Sequence, residues 1–429
     1  MSQLGATPIE NHRQIVVYRI GVWGTIPDSM TKQRTNRLFT ISILFASFVL
    51  LAMPGAITGV GWPAIRDEFG LRQDSIGLLL IMGTVGHLIS GAFNGRLMYR
   101  FGSRNLLLLA ILAFSLSLFG YWLTPSWSVM VMLGLVGGWA AGTIDATGNT
   151  IVAARYDDRI MNWLHGFFGV GATLGPLAIS LVVTLGSDWR GSALFFAMLL
   201  LILFVILLFF NTGLETEPTP IGEVQTEAAK VSEESATSGI ETLRQPIVWI
   251  AILFFFVYGG VEVSIGQWAF TLLTESRGVG EDAARFWVSV YWGTFTFGRF
   301  LFGVISPWLP ARVWIRGCVI LTASALILLL FPDNLTLGLL ALALSGVAQA
   351  PIFATLISLL PKLIGQEHAS NGIGYVVGAA GIGIALLPST AGVLAERFTL
   401  EAIPPFILVL SVILIFLFEI LARRNESIK

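Results

Sequence analysis

Long apolar runs, separated by short polar stretches, recur along the whole chain. A helix that crosses a bilayer needs roughly 20 mostly apolar residues, and twelve runs meet that length. They cover approximately 38–62, 74–98, 103–123, 127–154, 162–186, 191–213, 246–274, 283–308, 312–331, 335–360, 368–395 and 402–422. The first run is too long for a signal-peptide core and is interpreted as a retained span. The pattern predicts an all-α membrane protein with twelve transmembrane helices.

One long polar segment, residues 214–245, divides these runs into six and six. It holds seven Glu against one Lys and one Arg, together with Pro, Ser and Thr. Such a composition cannot bury a core and is typical of a disordered linker. We therefore predict five parts, which are an N-terminal tail 1–37, a six-helix bundle 38–213, the linker 214–245, a second six-helix bundle 246–422 and a C-terminal tail 423–429.

Glycine and arginine positions in the two halves repeat at a nearly constant offset. The matched pairs are Gly95 with Gly303, Arg104 with Arg312, Gly166 with Gly374, Gly175 with Gly383, and Gly59 with Gly266. One match is weak in a chain with 46 Gly, but a shared offset across several helix pairs indicates a duplicated unit. The sequence therefore predicts two pseudo-symmetric six-helix bundles.

Composition and charge agree with a membrane protein. The chain is 55% hydrophobic and 12% charged, whereas soluble domains carry about 25% charged residues. A net charge of -1 gives no reason to expect nucleic acid as a partner, and the single Cys318 excludes an intrachain disulfide. If both termini are cytoplasmic, 19 of the 25 Lys and Arg residues fall on that side. This asymmetry predicts a plasma (inner) membrane protein with both termini cytoplasmic.

A short motif after the second run carries a family resemblance. The stretch GRLMYRFGSRNLLLL resembles the helix 2–3 loop signature of the major facilitator superfamily, and it keeps Gly95, Arg100, Gly102 and Arg104. Tyr99 stands where that motif normally has Asp, which puts the usual charge-relay gate in doubt. The resemblance implies the twelve-helix fold of that superfamily and assigns gating or structural roles to Arg100 and Arg104.

Three further stretches are similar to one branch of that superfamily. NWLHGFFGVGATLGP, YGGVEVSIGQWAF and YWGTFTFGRFLFG resemble helices 5, 7 and 8 of the fucose, galactose and hexose symporters, including glucose-transporting members. The resemblance implies proton- or sodium-coupled uptake of a monosaccharide. Helix 1 has no acidic residue where some members place a proton-carrying Asp. Coupling through helix 1 is therefore not expected.

Three formally charged residues lie well inside the predicted spans, namely Asp145, Glu262 and Arg299. A charge at mid-helix costs roughly 2.5–3.5 kcal/mol on insertion scales, so it usually serves a cavity, a partner or an ion. Asp145 and Asn149 are four residues apart and share one helical face. We interpret Asp145 and Glu262 as candidates for ion coupling and Arg299 as a gate or helix-pairing residue. The alternative is that these groups form structural bonds between helices.

Polar and aromatic side chains in the spans are the candidates for solute binding. Amides and carboxylates suit sugar hydroxyls, while an indole can cover the apolar face of the ring. The candidates are Asn149, Asn162, His165, Gln267, Trp268, Tyr291, Gln349, Asn371 and Tyr375. Six of them have a plainer alternative, which is a helix cap for Asn162, an interfacial belt position for Trp268, and an interhelical hydrogen bond for the last four.

These features favour a secondary active transporter that works by alternating access between its two halves. Neither a nucleotide-binding loop nor a metal-ligand cluster nor a nucleophile elbow is present in the sequence, so no enzyme activity, cofactor or metal is expected. The expected partners are a small polar solute, a coupling proton or sodium ion, and the lipid bilayer. A drug or metabolite efflux antiporter of the same fold is an alternative, and a non-transporting membrane receptor is another.

Overall fold

Twelve long apolar helices form the computed structural model, which describes residues 28–156, 158–210, 238–305, 308 and 310–424. The membrane spans, numbered 1 to 12 here, are Leu38–Val60, Gln73–Phe101, Ser103–Leu123, Trp127–Arg155, Arg159–Thr184, Trp189–Phe209, Pro246–Ser276, Glu281–Ile305, Ala311–Leu328, Leu335–Ile364, Gln366–Arg397 and Leu400–Arg423. This confirms the predicted all-α fold with twelve transmembrane helices. Residues 1–27, 211–237 and 425–429, which include most of the predicted tails and linker, lie outside the described residues.

Two spans that were predicted as continuous are each made of two helices. The pieces are Asp28–Ala52 and Gly55–Val60 in span 1, and Leu335–Gln349 and Ile352–Ile364 in span 10. Pro54 and Pro351 lie in the two breaks. Proline has no backbone N–H, and its ring clashes with the preceding helical turn, so it interrupts the helical ladder at these positions. At the break of span 10, the Gln349 carbonyl accepts a hydrogen bond from the Tyr258 hydroxyl of span 7.

Shorter elements lie between or at the ends of the spans. They are helices Trp62–Phe69 and Gly239–Leu243, the 3-10 turns Gln73–Ser75, Gln366–His368 and Leu400–Ala402, and a π turn Leu272–Ser276 at the end of span 7. The helix Gly239–Leu243 falls inside the segment that was predicted to be a disordered linker. Ser238 and Glu241 form a reciprocal capping box at its start, and Thr242 is fully buried. The linker prediction is therefore corrected for this end of the segment.

Glycines allow the spans of each half to approach at backbone distance. A Cβ placed on Gly175 of span 5 would lie 2.7 Å from the Met53 carbonyl oxygen of span 1. A Cβ on Gly383 of span 11 would overlap the Phe256 carbonyl oxygen of span 7. Gly175 and Gly383 are one of the pairs that repeat at constant offset in the sequence. The repeat thus corresponds to the same close contact in each half, as small residues at membrane helix interfaces permit.

Gly383→Val is expected to destabilise the protein severely, since the new side chain meets a backbone carbonyl that cannot move aside. Overpacking typically costs about 1–3 kcal/mol where neighbours can shift, and we expect a loss at or above that range here. The measurement is the thermal unfolding midpoint and the monodisperse fraction in detergent. Gly378→Val in the same span is the control, because nothing lies within 4 Å of its added Cβ. Equal stability of the two variants would contradict the close contact.

The two halves meet along three seams. Span 5 packs on span 8, span 2 packs on span 11, and the second helix of span 1 contacts span 7. We call the side at which span 6 ends and span 7 begins the linker face, and the other side the opposite face. The first and third of these seams enclose the space in which the candidate site lies.

Candidate functional site

A cavity of about 200 Å³ lies between the two halves, in the part of the spans nearer the opposite face. Spans 1, 2 and 5 of the first half and spans 7 and 8 of the second half form its wall. The wall is largely apolar, with Thr58, Gln267 and Trp292 as polar or amphipathic groups and Phe168 as an aromatic neighbour. Of the residues predicted to bind solute, Gln267 therefore lies at the cavity.

A set of polar contacts closes the opposite face above this cavity. Arg66 Nη1 lies 2.8 Å from Glu275 Oε2, and Arg72 Nε lies 3.3 Å from Glu396 Oε1. Gln73 joins both carboxylates, since its Nε2 donates to Glu275 at 3.0 Å and its backbone N–H donates to Glu396 at 2.8 Å. These five residues, which we call the opposite-face lock, come from both halves. Single exposed ion pairs contribute little, but a connected set across one interface holds the halves together.

Helical register extends the site from the cavity towards the linker face. In span 5, His165 precedes the cavity residues Phe168 and Ala172 by three and seven positions, and in span 8 Arg299 follows Trp292 by seven. Residues at these spacings share a helical face. His165 and Arg299 therefore point to the same side of their helices as the cavity wall.

Four charged or titratable side chains form a cluster in this region, namely Asp145, His165, Glu262 and Arg299. Glu262 interacts electrostatically with Arg299, and His165 interacts with both Arg299 and Asp145. Asn149 Nδ2 donates a hydrogen bond to Asp145 Oδ1 at 3.0 Å. This charged cluster joins spans 4 and 5 of the first half to spans 7 and 8 of the second. With His165 neutral, it carries two carboxylates and one guanidinium.

Two buried tyrosines support the second half of the cluster. Tyr258 donates its hydroxyl to the Gln349 carbonyl at 3.0 Å, at the break of span 10, and Tyr291 donates to the Glu262 carbonyl at 2.7 Å. The side chain of Gln349 lies beside Tyr291. The predicted solute contacts Tyr291 and Gln349 are therefore close to Glu262, but the Tyr291 hydroxyl already bonds to backbone.

The structure places Trp268 away from the cavity. This residue is 1% exposed, and its Nε1 donates to the Pro388 carbonyl at 2.9 Å, so it fills the space between spans 7 and 11. The indole at the cavity belongs instead to Trp292, which lies within a quoted motif but was not singled out in the sequence. Its position seven residues before Arg299 on one helix was the available signal.

Asn371 and Tyr375 lie at the linker face and contact the short helix Gly239–Leu243. Asn371 Nδ2 is 3.4 Å from Thr242 Oγ1, which also lies 3.0 Å from His368 Nδ1. A Cβ added to Gly239 would lie 2.5 Å from the Tyr375 hydroxyl. The structure does not bring these two predicted solute contacts to the cavity, and they pack against the end of the linker.

The remaining predicted residues occupy the linker-face ends of their spans. Asn162 is exposed, and because its helix begins at Asp158 it lies beyond the capping position considered in the sequence. Arg104 Nη2 donates to the carbonyls of Leu207 and Leu208 at 2.9 and 2.8 Å, which joins span 3 to the end of span 6. Arg100 is exposed, with its guanidinium 5.7 Å from the centre of the adjacent Phe101 ring.

Known proteins resemble this chain over most of its length. A sodium-dependent glucose transporter 1 of Homo sapiens is 24% identical over 83% of this chain and 73% of its own length. The glucose/mannose transporter GlcP of Bacillus subtilis is 22% identical over 84% of this chain and 88% of its own. A solved D-xylose-proton symporter superposes with a TM-score of 0.72 at 13% identity, covering 89% of this chain and 97% of that one, which shows the shared fold.

A family model adds the assignment. The model described as Major Facilitator Superfamily matches residues 43–386 and 269–428, which together cover span 1 from residue 43 and all of spans 2 to 12. The twelve spans make the protein an integral, multi-pass membrane protein. The chain belongs to the Major Facilitator Superfamily.

Proposed function

We propose that this protein is a secondary active transporter that moves a monosaccharide by alternating access, coupled to a monovalent cation. The observation that supports this proposal most strongly is a cavity between the two halves. It is closed at the opposite face and lies next to the charged cluster. In such a transporter the halves rock around a site near mid-depth and expose it to each side in turn.

The size and chemistry of the cavity favour a small polar solute. About 200 Å³ is below the roughly 300–1,000 Å³ that is usual for drug-sized ligands. The Gln267 amide can donate to and accept from hydroxyl groups, and the Trp292 indole offers a flat apolar surface to a sugar ring. The relatives named as glucose transporters and the neighbour named as a xylose symporter agree with this solute class. These points weigh against the drug efflux alternative.

The charge of the cluster indicates how a cation is coupled. Arg299 and Glu262 belong to the same half, so they remain neighbours when the halves rock. Asp145 belongs to the other half, where it accepts a hydrogen bond from the neutral amide of Asn149. We propose that Asp145 takes up the proton or sodium ion. A cation couples transport only if it binds the two conformations unequally, and a site formed across both halves meets that condition.

The positive-charge asymmetry of the sequence sets the orientation in this proposal. Both termini and the linker are cytoplasmic, and the protein lies in the plasma membrane. The opposite face is then extracellular, so the opposite-face lock closes the route to the outside. A transport cycle therefore includes a step in which the lock opens.

Uptake into proteoliposomes tests the proposed function. The purified protein is supplied with labelled glucose, mannose, xylose and fucose, with and without imposed proton and sodium gradients. We expect at least one sugar to accumulate only when a gradient is present. Flux of a drug or of an organic anion with no sugar flux would contradict the proposed solute class. Sugar binding without flux would favour the receptor alternative.

Trp292→Ala is expected to raise the apparent KM for the transported sugar about tenfold, with a smaller effect on the maximal rate. An aromatic contact contributes about 0.5–1.5 kcal/mol beyond its buried area, and a tenfold change corresponds to about 1.4 kcal/mol. The measurement is initial uptake rate against sugar concentration. Trp249→Ala is the control, since Trp249 is exposed and donates to the Leu243 carbonyl near the linker. An unchanged KM for Trp292→Ala would argue against indole stacking.

A further inference from the structure

Gln267 connects the cavity to the closed face of the protein. Its side chain lies at the cavity wall, it is 6% exposed, and its Nε2 donates to the Thr58 carbonyl oxygen at 2.6 Å. Thr58 is in the second helix of span 1 and Gln267 is in span 7, so this bond joins the two halves. The same carboxamide is thus available to a bound solute and is already used to hold the halves together.

The two backbones are within van der Waals contact of each other at this point. A Cβ placed on Gly59 would lie 3.4 Å from the Gly266 carbonyl oxygen and 3.9 Å from Gln267 Cα. Gly59 and Gly266 are a pair from the sequence repeat, so equivalent positions of the two halves face each other here. Small residues at both positions bring the Gln267 side chain within reach of the span 1 backbone.

The Thr58 carbonyl that accepts this bond has no hydrogen-bond donor within its own helix. The helix Gly55–Val60 has six residues, and the carbonyls of its last turn, Thr58 among them, lack a partner four residues later in that helix. The Ile57 carbonyl accepts from the backbone N–H of Gly61, while the Thr58 carbonyl accepts from Gln267. A conformation that leaves a buried carbonyl without a donor is less stable. The bond from Gln267 to Thr58 therefore favours the closed conformation.

We infer that Gln267 is a latch, which holds the opposite face closed through the Thr58 carbonyl until its carboxamide turns away to bind solute hydroxyls. The role of the solute in this inference rests on the proposed function, whereas the latch itself does not. When the carboxamide turns into the cavity to bind solute hydroxyls, the hydrogen bond to the Thr58 carbonyl is lost, and one of the contacts that join the halves on this side is removed. Solute binding and gate opening are coupled through one side chain.

Distance measurement without solute tests the latch directly. Leu185 and Phe398, on different halves, are 77% and 71% exposed at the opposite face and are replaced by cysteine for spin labelling. Cys318→Ser removes the one native cysteine. We expect Gln267→Met, a substitution of similar size without the amide, to raise the ratio of long to short distances about tenfold. That factor corresponds to the loss of one hydrogen bond of ordinary strength.

Asn94→Leu is the matched control, because Asn94 is also a buried amide, and its hydrogen bond from Thr147 Oγ1 at 3.2 Å stays within the first half. It should leave the distance ratio unchanged. An unchanged ratio in folded Gln267→Met, or an equal rise in both variants, would overturn the latch. In the protein that keeps Gln267, D-glucose at saturating concentration should raise the ratio of long to short distances. In Gln267→Met, D-glucose should cause no further rise. If D-glucose and the other three sugars fail while Gln267→Met opens the gate, the latch stands and the monosaccharide proposal fails.

Discussion

Asp145→Asn is expected to give a transporter that exchanges sugar across the bilayer but no longer concentrates it. Asparagine keeps the size and hydrogen-bonding capacity of the side chain and removes its charge. The cluster then has one carboxylate and one guanidinium in every conformation, so no cation is required to neutralise it. Because the solute site is unchanged, exchange of labelled for unlabelled sugar continues.

The expected effect is large enough to measure without ambiguity. One charge moved through 100 mV releases about 2.3 kcal/mol, which can sustain a sugar gradient of roughly 50-fold when one cation is coupled to each sugar. Asp145→Asn should end at an inside-to-outside ratio of about one under the same gradient, with counterflow rates near those of the unmodified protein. Asp333→Asn, which alters an exposed carboxylate between spans 9 and 10, should accumulate sugar normally. Full accumulation by Asp145→Asn would remove this residue from the coupling mechanism.

The fold could be predicted from sequence because its strongest signal is the length of each apolar run, which needs no knowledge of the packing. Each span needs enough apolar length to cross the bilayer, and that length is visible in any window of the sequence. The repeat of Gly175 at Gly383 also corresponds to a real contact, since both glycines lie against a backbone carbonyl of a neighbouring span. The breaks of spans 1 and 10 were missed although Pro54 and Pro351 were visible, because proline is tolerated inside many membrane helices.

The inward face of each span could not be predicted in the same way. In a soluble helix the polar face marks the solvent side, but in a membrane helix both the lipid-facing and the packed sides are apolar. Trp268 and Trp292 are therefore indistinguishable by hydropathy, and only the packing shows that Trp268 bonds to the Pro388 carbonyl while Trp292 lines the cavity. Asn371 and Tyr375 were assigned to solute for the same reason, since their contact with the linker helix depends on tertiary structure.

Charged residues were the exception, since their cost in a membrane makes their position informative. Asp145, Glu262 and Arg299 are far apart in sequence, and the structure gathers them with His165 into one cluster. The sequence did not show that Arg299 would interact with Glu262 of its own half and with His165 of the other half, which in turn interacts with Asp145. The gate or helix-pairing role expected of Arg299 stays a prediction, and this arrangement leads to the second main prediction.

Glu262→Gln is expected to reduce exchange as well as accumulation, by about 100-fold or more. Without its partner in the same half, the Arg299 guanidinium is left to Asp145 in the other half. A new ion pair across the halves stabilises one conformation over the other, and a bias of about 3 kcal/mol makes a difference of roughly 100-fold in population. The measurement is counterflow of labelled sugar in proteoliposomes, with size-exclusion chromatography to verify folding.

Adding Arg299→Gln to Glu262→Gln separates this explanation from simple damage to the site. The double variant removes the guanidinium that would bind Asp145, so exchange should recover to within about tenfold of the unmodified protein. Glu419→Gln is the control for an ion pair inside one half, since Arg316 Nη2 of span 9 lies 2.8 Å from Glu419 Oε2 of span 12, and it should leave exchange nearly unchanged. If the folded double variant stays as slow as Glu262→Gln, Glu262 acts on the solute itself. Recovery would instead show that the halves can move only when Arg299 is not paired with Asp145 of the other half.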